Sequence, residues 1–316
     1  MRKVIFDTDP GVDDAMALRF LTRRPELELL GVTTVHGNSD IDTVTRNALY
    51  LKDRFGFAAP VAQGSGVTVL NKQGSPAPHV HGQNGLGDIP IPDTIAATAD
   101  GRRGHRMMID LIRENPHEVT IIAVGPLTNL ARLVDKDPDI ARLVQGVVVM
   151  GGAFGSHGHT GNVTPVAEAN ISNDPEAAEE VFTAPWPVTI IGLDVTQQVV
   201  MDAAYLDRLR QSGDDGQFLY DVSRSYHGFH QRSRQLDGVF AHDSLAVIYA
   251  VAPHLFTLRR GPVRVVCGGL ASGQTIQKPE HSAFPAGAWD AHPAQSVAVD
   301  VDVAAVLAFY AETFTR

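Results

Sequence analysis

The feature that most constrains this chain is an alternation. Short apolar runs rich in β-branched residues, "KVIFDTD", "LELLGVTTVHG", "EVTIIAVG", "VQGVVVMGG", "PVTIIGLD" and "QSVAVDV", are separated by amphipathic stretches such as "DDAMALRFLTRR" and "DTVTRNALYLKDRFG". Runs of that length and composition read as strands buried on both faces, and the stretches between them carry a helical period closed before Pro25 and at Gly56. The order strand, helix, strand predicts an α/β fold: an open, mainly parallel sheet flanked by helices. Residues 202–252 read as mostly helical, and residues 64–100 and 151–170 as long glycine-rich loops. No linker interrupts the pattern, so one domain over residues 1–316 is expected.

Composition narrows the partners. The formal net charge of -10, with no Lys/Arg block, argues against a nucleic-acid or anionic-membrane surface, because both need clustered cations. A small molecule is the expected partner. Cys267 is the one cysteine in 316 residues, so no internal disulfide forms, which suits a reducing cytoplasm. The chain enters a strand at Val4 without an apolar leader, and no stretch has the length of a membrane span.

In open α/β sheets the ligand lies beyond the carboxyl ends of the strands. The polar clusters fall there: "DTDPG", "HGNSD", "VGPLTN" and "GGAFG" each follow a predicted strand. The first is the most demanding, since "DTDPGVDD" puts Asp7, Asp9, Asp13 and Asp14 within eight residues. Crowded carboxylates repel one another and raise one another's pKa. Asp13 and Asp14 open a helix, where the free amides and the dipole favour an acid. Helix capping does not account for carboxylates at the preceding strand end, and a divalent cation does, with hard oxygen ligands suiting Ca²⁺ or Mg²⁺. An apolar strand followed by "DTD" is also how aspartate-nucleophile phosphohydrolases begin, and D-x-D alone does not separate the two.

Further stretches carry polar groups that packing does not need: His36, Asn38 and Asp40 in "VHGNSD", His79 and His81 in "HVHGQNGLG", Asn162, Glu168 and Asn170 in "TGNVTPVAEANISNDPEAA", and His242 beside Asp243 in "FAHDSLAV". Singly, each has a structural reading as a turn residue, a cap or a hydrogen-bonded histidine. Together, with "DTDPGVDDAMAL", "TTVHGN", "VGPLTNLA", "VVVMGGAF" and "VTIIGLDVT" in one order, the chain closely resembles the inosine-uridine type of nucleoside hydrolase. The likeness runs from residue 5 to about 250 and displaces the phosphohydrolase reading.

The resemblance implies a Rossmann-like nucleoside hydrolase fold and a Ca²⁺ held by Asp9, Asp14, Asp243 and the carbonyl of Val124. It implies that Asp9 deprotonates a calcium-bound water, that Asp13, Asn38 and Asn170 hold the ribose hydroxyls, and that Asn162 and Glu168 contact the 5′ side. His242 then protonates or supports the leaving base, a role that suits a side chain titrating near neutral pH, and His81 lies near the base. Asp7 has no such role and reads as a buried acceptor for loop amides; Asp40 reads as a helix cap. Where relatives carry tyrosines over the base, this chain has His230, with Tyr226, His227, Phe229, Arg232 and Arg234 nearby. A broad or pyrimidine-leaning ribonucleoside preference, a homodimer or homotetramer and a place in nucleoside salvage complete the expectation. A non-catalytic nucleoside binder is the rival from another class.

Overall fold

The structure is a computed structural model and describes residues 1–315 except 285, 286 and 288. Its strands are β1 (Arg2–Thr8), β2 (Leu27–Thr34), β3 (Val61–Gln63), β4 (Val119–Ala123), β5 (Gly146–Met150), β6 (Val188–Ile191), β7 (Val200–Asp202), β8 (Gly238–Phe240), β9 (Phe256–Val265), β10 (Thr275–Gln277) and β11 (Ala294–Val301). The helices are α1 (Val12–Arg23), α2 (Ile41–Phe55), α3 (Pro78–His81), α4 (Gly104–Glu114), α5 (Thr128–Lys136), α6 (Ala169–Asn173), α7 (Pro175–Thr183), α8 (Leu193–Thr196), α9 (Ala203–Arg210), α10 (Asp214–Arg234), α11 (His242–Val251) and α12 (Val303–Thr315). Residues 202–252 are mostly helical, as the sequence predicts, with β8 between α10 and α11 and paired to β7.

Among the described residues one sheet has nine strands in the order β10-β9-β11-β6-β5-β4-β1-β2-β3. From β3 to β11 the neighbours are parallel, and β9 and β10 close one edge antiparallel. Both faces are covered. Successive side chains of a strand point to opposite faces, and β1 shows the result: Val4 and Phe6 join a core with Met16 of α1, Leu245 of α11 and Tyr310 of α12, whereas Ile5 joins another with Met108 of α4, Leu130 of α5 and Phe182 of α7. That explains why the central strands read as continuous apolar runs.

The chain leaves β1 in one direction across β2 and β3 and in the other across β4, β5 and β6. The crevice where the order reverses, between the carboxyl ends of β1 and β4, is where such folds bind ligands. Asp9 follows β1 there and Val124 follows β4, and the Val124 amide donates to the Asp7 carbonyl at 2.8 Å. Among the described residues no helix is long and apolar enough to cross a membrane.

Candidate functional site

Pro10 and Gly11 turn the chain from β1 into α1, so the acids of "DTDPGVDD" are divided by local geometry. Side chains adjacent on a helix diverge by about 100°. Asp14 turns back: Oδ1 accepts from Thr8 Oγ1 at 2.5 Å and the Asp9 amide at 3.2 Å, and Oδ2 from the Gly11 amide at 2.9 Å and Asn38 Nδ2 at 3.0 Å. Asp13 lines the cavity instead. Asp9 Oδ2 accepts from the Asn38 amide at 2.7 Å, while Asp9 Oδ1 is buried without a hydrogen-bond partner. Asp7 is buried on the other side of the strand, where Oδ1 accepts from Thr33 Oγ1 at 2.5 Å and Asn129 Nδ2 at 2.8 Å. It is the acceptor foreseen from sequence, but its donors are side chains rather than loop amides.

Helices α1 and α11 pack together, and their first turns carry Asp13, Asp14 and Asp243. One oxygen from each of these three lies within 4.8 Å of the others. Burial raises the pKa of all the acids here, and mutual repulsion adds to it: Asp13 is pushed up to about 8, with the Asp14 charge the next cause, and Asp9 and Asp243 stand well above the usual carboxylate range. Asp14 is raised by the same burial against four hydrogen bonds that oppose it. An all-oxygen donor set, an orphaned carboxylate oxygen and uncompensated buried acids fit a hard divalent cation. The grouping differs from the expected ligand set in three respects. Asp9 lies outside the trio, Asp13 lies inside it, and the Val124 carbonyl accepts from Asn170 Nδ2 at 2.9 Å, as does that of Met150 at 3.1 Å.

The cavity above these acids has a volume of about 290 Å³. Asp13, Asn38, His81, Val124, Asn162, Glu168, Asn170, His242 and Asp243 all line it; Asp9 and Asp14 lie outside the lining. Both Glu168 oxygens are engaged by backbone, Oε2 by the amides of Gly152 (3.0 Å) and Ile171 (3.1 Å) and Oε1 by that of Asn170 (3.0 Å), so Glu168 caps α6 and ties the glycine-rich loop to it. Asn162 Oδ1 accepts from the Ala169 amide at 3.0 Å. The loop at residues 75–77 adds a wall that sequence reading missed, because Ser75, Pro76 and Ala77 carry no chemical signature.

Another part of the wall is aromatic. His81 stacks on Tyr226 with centroids 5.6 Å apart, Tyr226 meets His230 at 4.3 Å, His230 meets Phe240 edge-on at 5.0 Å, and Phe240 meets His242 at 5.3 Å. His81 Nδ1 accepts from the Val12 amide at 3.2 Å. His230 therefore faces inward, and its Nδ1 is buried without a partner. Arg234, Phe229 and His79 complete this end of the cavity, whereas His227 pairs with Asp237 at 2.8 Å. Burial lowers the imidazole pKa values, to about 3 for His242 and His81 and about 4 for His230, and all three also feel histidine neighbours. His242 is thus a neutral ring at pH 7, not one titrating near the working pH as its residue type suggests. Asp40 caps α2 through the amides of Asp42 and Thr43, and His36 Nε2 contacts Thr128 Oγ1 at 3.1 Å, which leaves both outside the cavity.

A cavity lined by acids and aromatics, at the switch point of a parallel sheet, has the character of a small-molecule site in an α/β enzyme. The family model described as inosine-uridine preferring nucleoside hydrolase matches residues 4–308. The chain is 40% identical over 316 residues to probable uridine nucleosidase 1 of Oryza sativa subsp. japonica, covering 98% of this chain and 95% of that one. Its fold matches a plant nucleoside hydrolase, the PpNRh1 enzyme, with a TM-score of 0.95 at 36% identity and 99% of both chains covered. It also matches a purine-preferring ribonucleoside hydrolase from Gardnerella vaginalis with a TM-score of 0.90 at 33% identity, over 99% of this chain and 98% of that one. The chain belongs to the nucleoside hydrolase family. It is accordingly an enzyme that hydrolyses the N-glycosidic bond of ribonucleosides, and the phosphohydrolase alternative falls.

Proposed function

We propose that the cation is Ca²⁺, that Asp9 is the base for the attacking water, and that the enzyme accepts several nucleobases with a lean toward pyrimidines. The observation that carries the reading is the set of buried acids: one oxygen each of Asp13, Asp14 and Asp243 within 4.8 Å of one another, and a buried, partnerless Asp9 Oδ1 on a carboxylate that feels the Asp14 and Asp13 charges. Asp9, Asp14, Asp243 and the Val124 carbonyl would hold the Ca²⁺, which when bound would supply positive charge to orient ribose hydroxyls and acidify water. The chain's own residues do the rest. Asp9, already raised by burial, accepts a proton from water. Asp13, Asn38 and Asn170 line the side where the ribose hydroxyls bind, with Asn162 and Glu168 toward the 5′ end. The ribose ring gains positive charge as the bond breaks, and the carboxylates beneath stabilise it.

The aromatic wall of His81, Tyr226 and His230 takes the base, and His242 supports it as it departs. A neutral imidazole does this by hydrogen bonding rather than by giving up a proton. The name of the Oryza relative supports uridine as a good substrate. The lone cysteine suits the cytoplasm, and a homodimer or homotetramer of one-domain chains is the assembly we expect. Initial rates on uridine, cytidine, inosine and adenosine test the preference: uridine is expected fastest with all four turned over, and turnover of purines alone would contradict it.

A further inference from the structure

His242 has a hydrogen-bond partner that decides how its ring is protonated. Nδ1 lies 2.7 Å from Thr196 Oγ1. Thr196 ends α8 and is fully buried, and among the described residues its hydroxyl meets no other partner. A buried hydroxyl has one proton to place, and leaving it unplaced is costly. The acceptor within its reach is Nδ1, and donation to Nδ1 would put the ring proton on Nε2. The platform is rigid: two residues before Thr196, Asp194 accepts from the amides of Phe154 (2.9 Å) and Ser156 (2.6 Å), and Phe240 packs on the His242 ring.

We propose that Thr196 is a positioning residue which, by donating to Nδ1, holds His242 as the Nε2–H tautomer, so that a hydrogen-bond donor meets the departing base. The proposal rests on the reading of His242 as the group that supports the leaving base. As the glycosidic bond breaks, its electron pair goes to the base nitrogen. The opposite tautomer would present a lone pair to that growing charge. The Nε2–H group stabilises it by a hydrogen bond and keeps its proton, so no imidazolate forms, and the base is protonated by solvent after release.

Thr196→Val keeps the side-chain shape and removes the donor, and Thr196→Ser keeps the donor. With the best ribonucleoside, Thr196→Val is expected to lower kcat about tenfold with KM within about twofold, and Thr196→Ser to recover most of the loss. Turnover of 4-nitrophenyl β-D-riboside, whose phenolate leaves without help, is expected to fall by no more than about twofold. Equal losses on both substrates, or none on the ribonucleoside, overturn the proposal. In the wild-type protein, long-range ¹H–¹⁵N spectra, with His242 assigned by its absence in His242→Ala, are expected to show an unprotonated Nδ1. A protonated Nδ1 overturns it even if the variants fail to fold. If His242→Ala hydrolyses ribonucleosides at the wild-type rate, the reading of His242 falls, and the proposal with it, whichever nitrogen carries the proton.

Discussion

Asp9 is held in place partly by what its neighbours lack: a Cβ built on Gly37 would collide with Oδ2, and one on Gly125 would lie 2.6 Å from Oδ1. Glycine is needed in "HGN" and "VGP" because backbone must pass close to the carboxylate, not for its torsional freedom. Gly37→Ala is therefore expected to displace Asp9 and lower kcat at least about 100-fold, close to the loss from Asp9→Asn, with a folded circular-dichroism spectrum. An activity within a few fold of wild type would show that Asp9 need not sit there. The acids also predict a pH dependence. Asp13 is raised to about 8, so without a cation the folded chain keeps a proton that the unfolded chain releases above about pH 4. That stability is present in acid and lost as pH rises through about 8; a cation, which binds the ionised forms, reverses the trend. The difference in Tm between calcium and a chelator is expected to widen from about pH 6 to 8. A constant or shrinking difference contradicts it. At this scale the sequence was legible where spacing carries the signal, as in "DTDPGVDD". It was silent on His242's lowered pKa and on its bond to Thr196, because both depend on groups brought together from far along the chain.

Among the elements, α10 contributes most to the aromatic wall of the cavity, since Tyr226, Phe229 and His230 all stand on it. Its first turn is clamped to α1: Asp215 pairs with Arg19 at 2.6 Å and with Arg23 at 2.6 Å, with the Arg19 and Asp215 side chains 11% and 6% exposed. Burial at that level makes the loss of one partner severe, because the remaining charge is left in the interior. Asp215→Ala is expected to cost about 3 kcal/mol in urea denaturation, and an Arg19→Met/Asp215→Leu double substitution to recover much of it. A loss below about 1 kcal/mol, the range of exposed pairs, would show the clamp to be unimportant. The strands that sequence reading missed are β3, β7, β8, β9 and β10. Three-residue strands such as β3 and β10 carry no measurable period. Strand β9 reads "FTLRRGPVRV", whose Arg pair, Gly261 and Pro262 argue against a ladder. The fold accommodates them because Gln277 Nε2 donates to the carbonyls of Arg259 (3.0 Å) and Gly261 (3.4 Å).

For the whole molecule, the decisive fact is the reversal of strand order beside β1, which brings residues as distant as Asp13, Asn170 and Asp243 around one cavity. That convergence was legible because polar clusters at strand ends can only meet on one rim of a parallel sheet. The shape of the aromatic end was not, because it depends on which face of a 21-residue helix turns inward and on a loop of small residues that also lines the cavity. The central claim is that these buried acids hold a cation and use it to put water onto ribose. Its most direct test is product analysis of a ribonucleoside incubated with the calcium-loaded protein, with the same protein after chelation, and after calcium is restored. Free ribose and free base in a one-to-one ratio, lost on chelation and regained with calcium, is the predicted result. Equal product formation with and without the chelator, in protein shown to be metal-free, would contradict it.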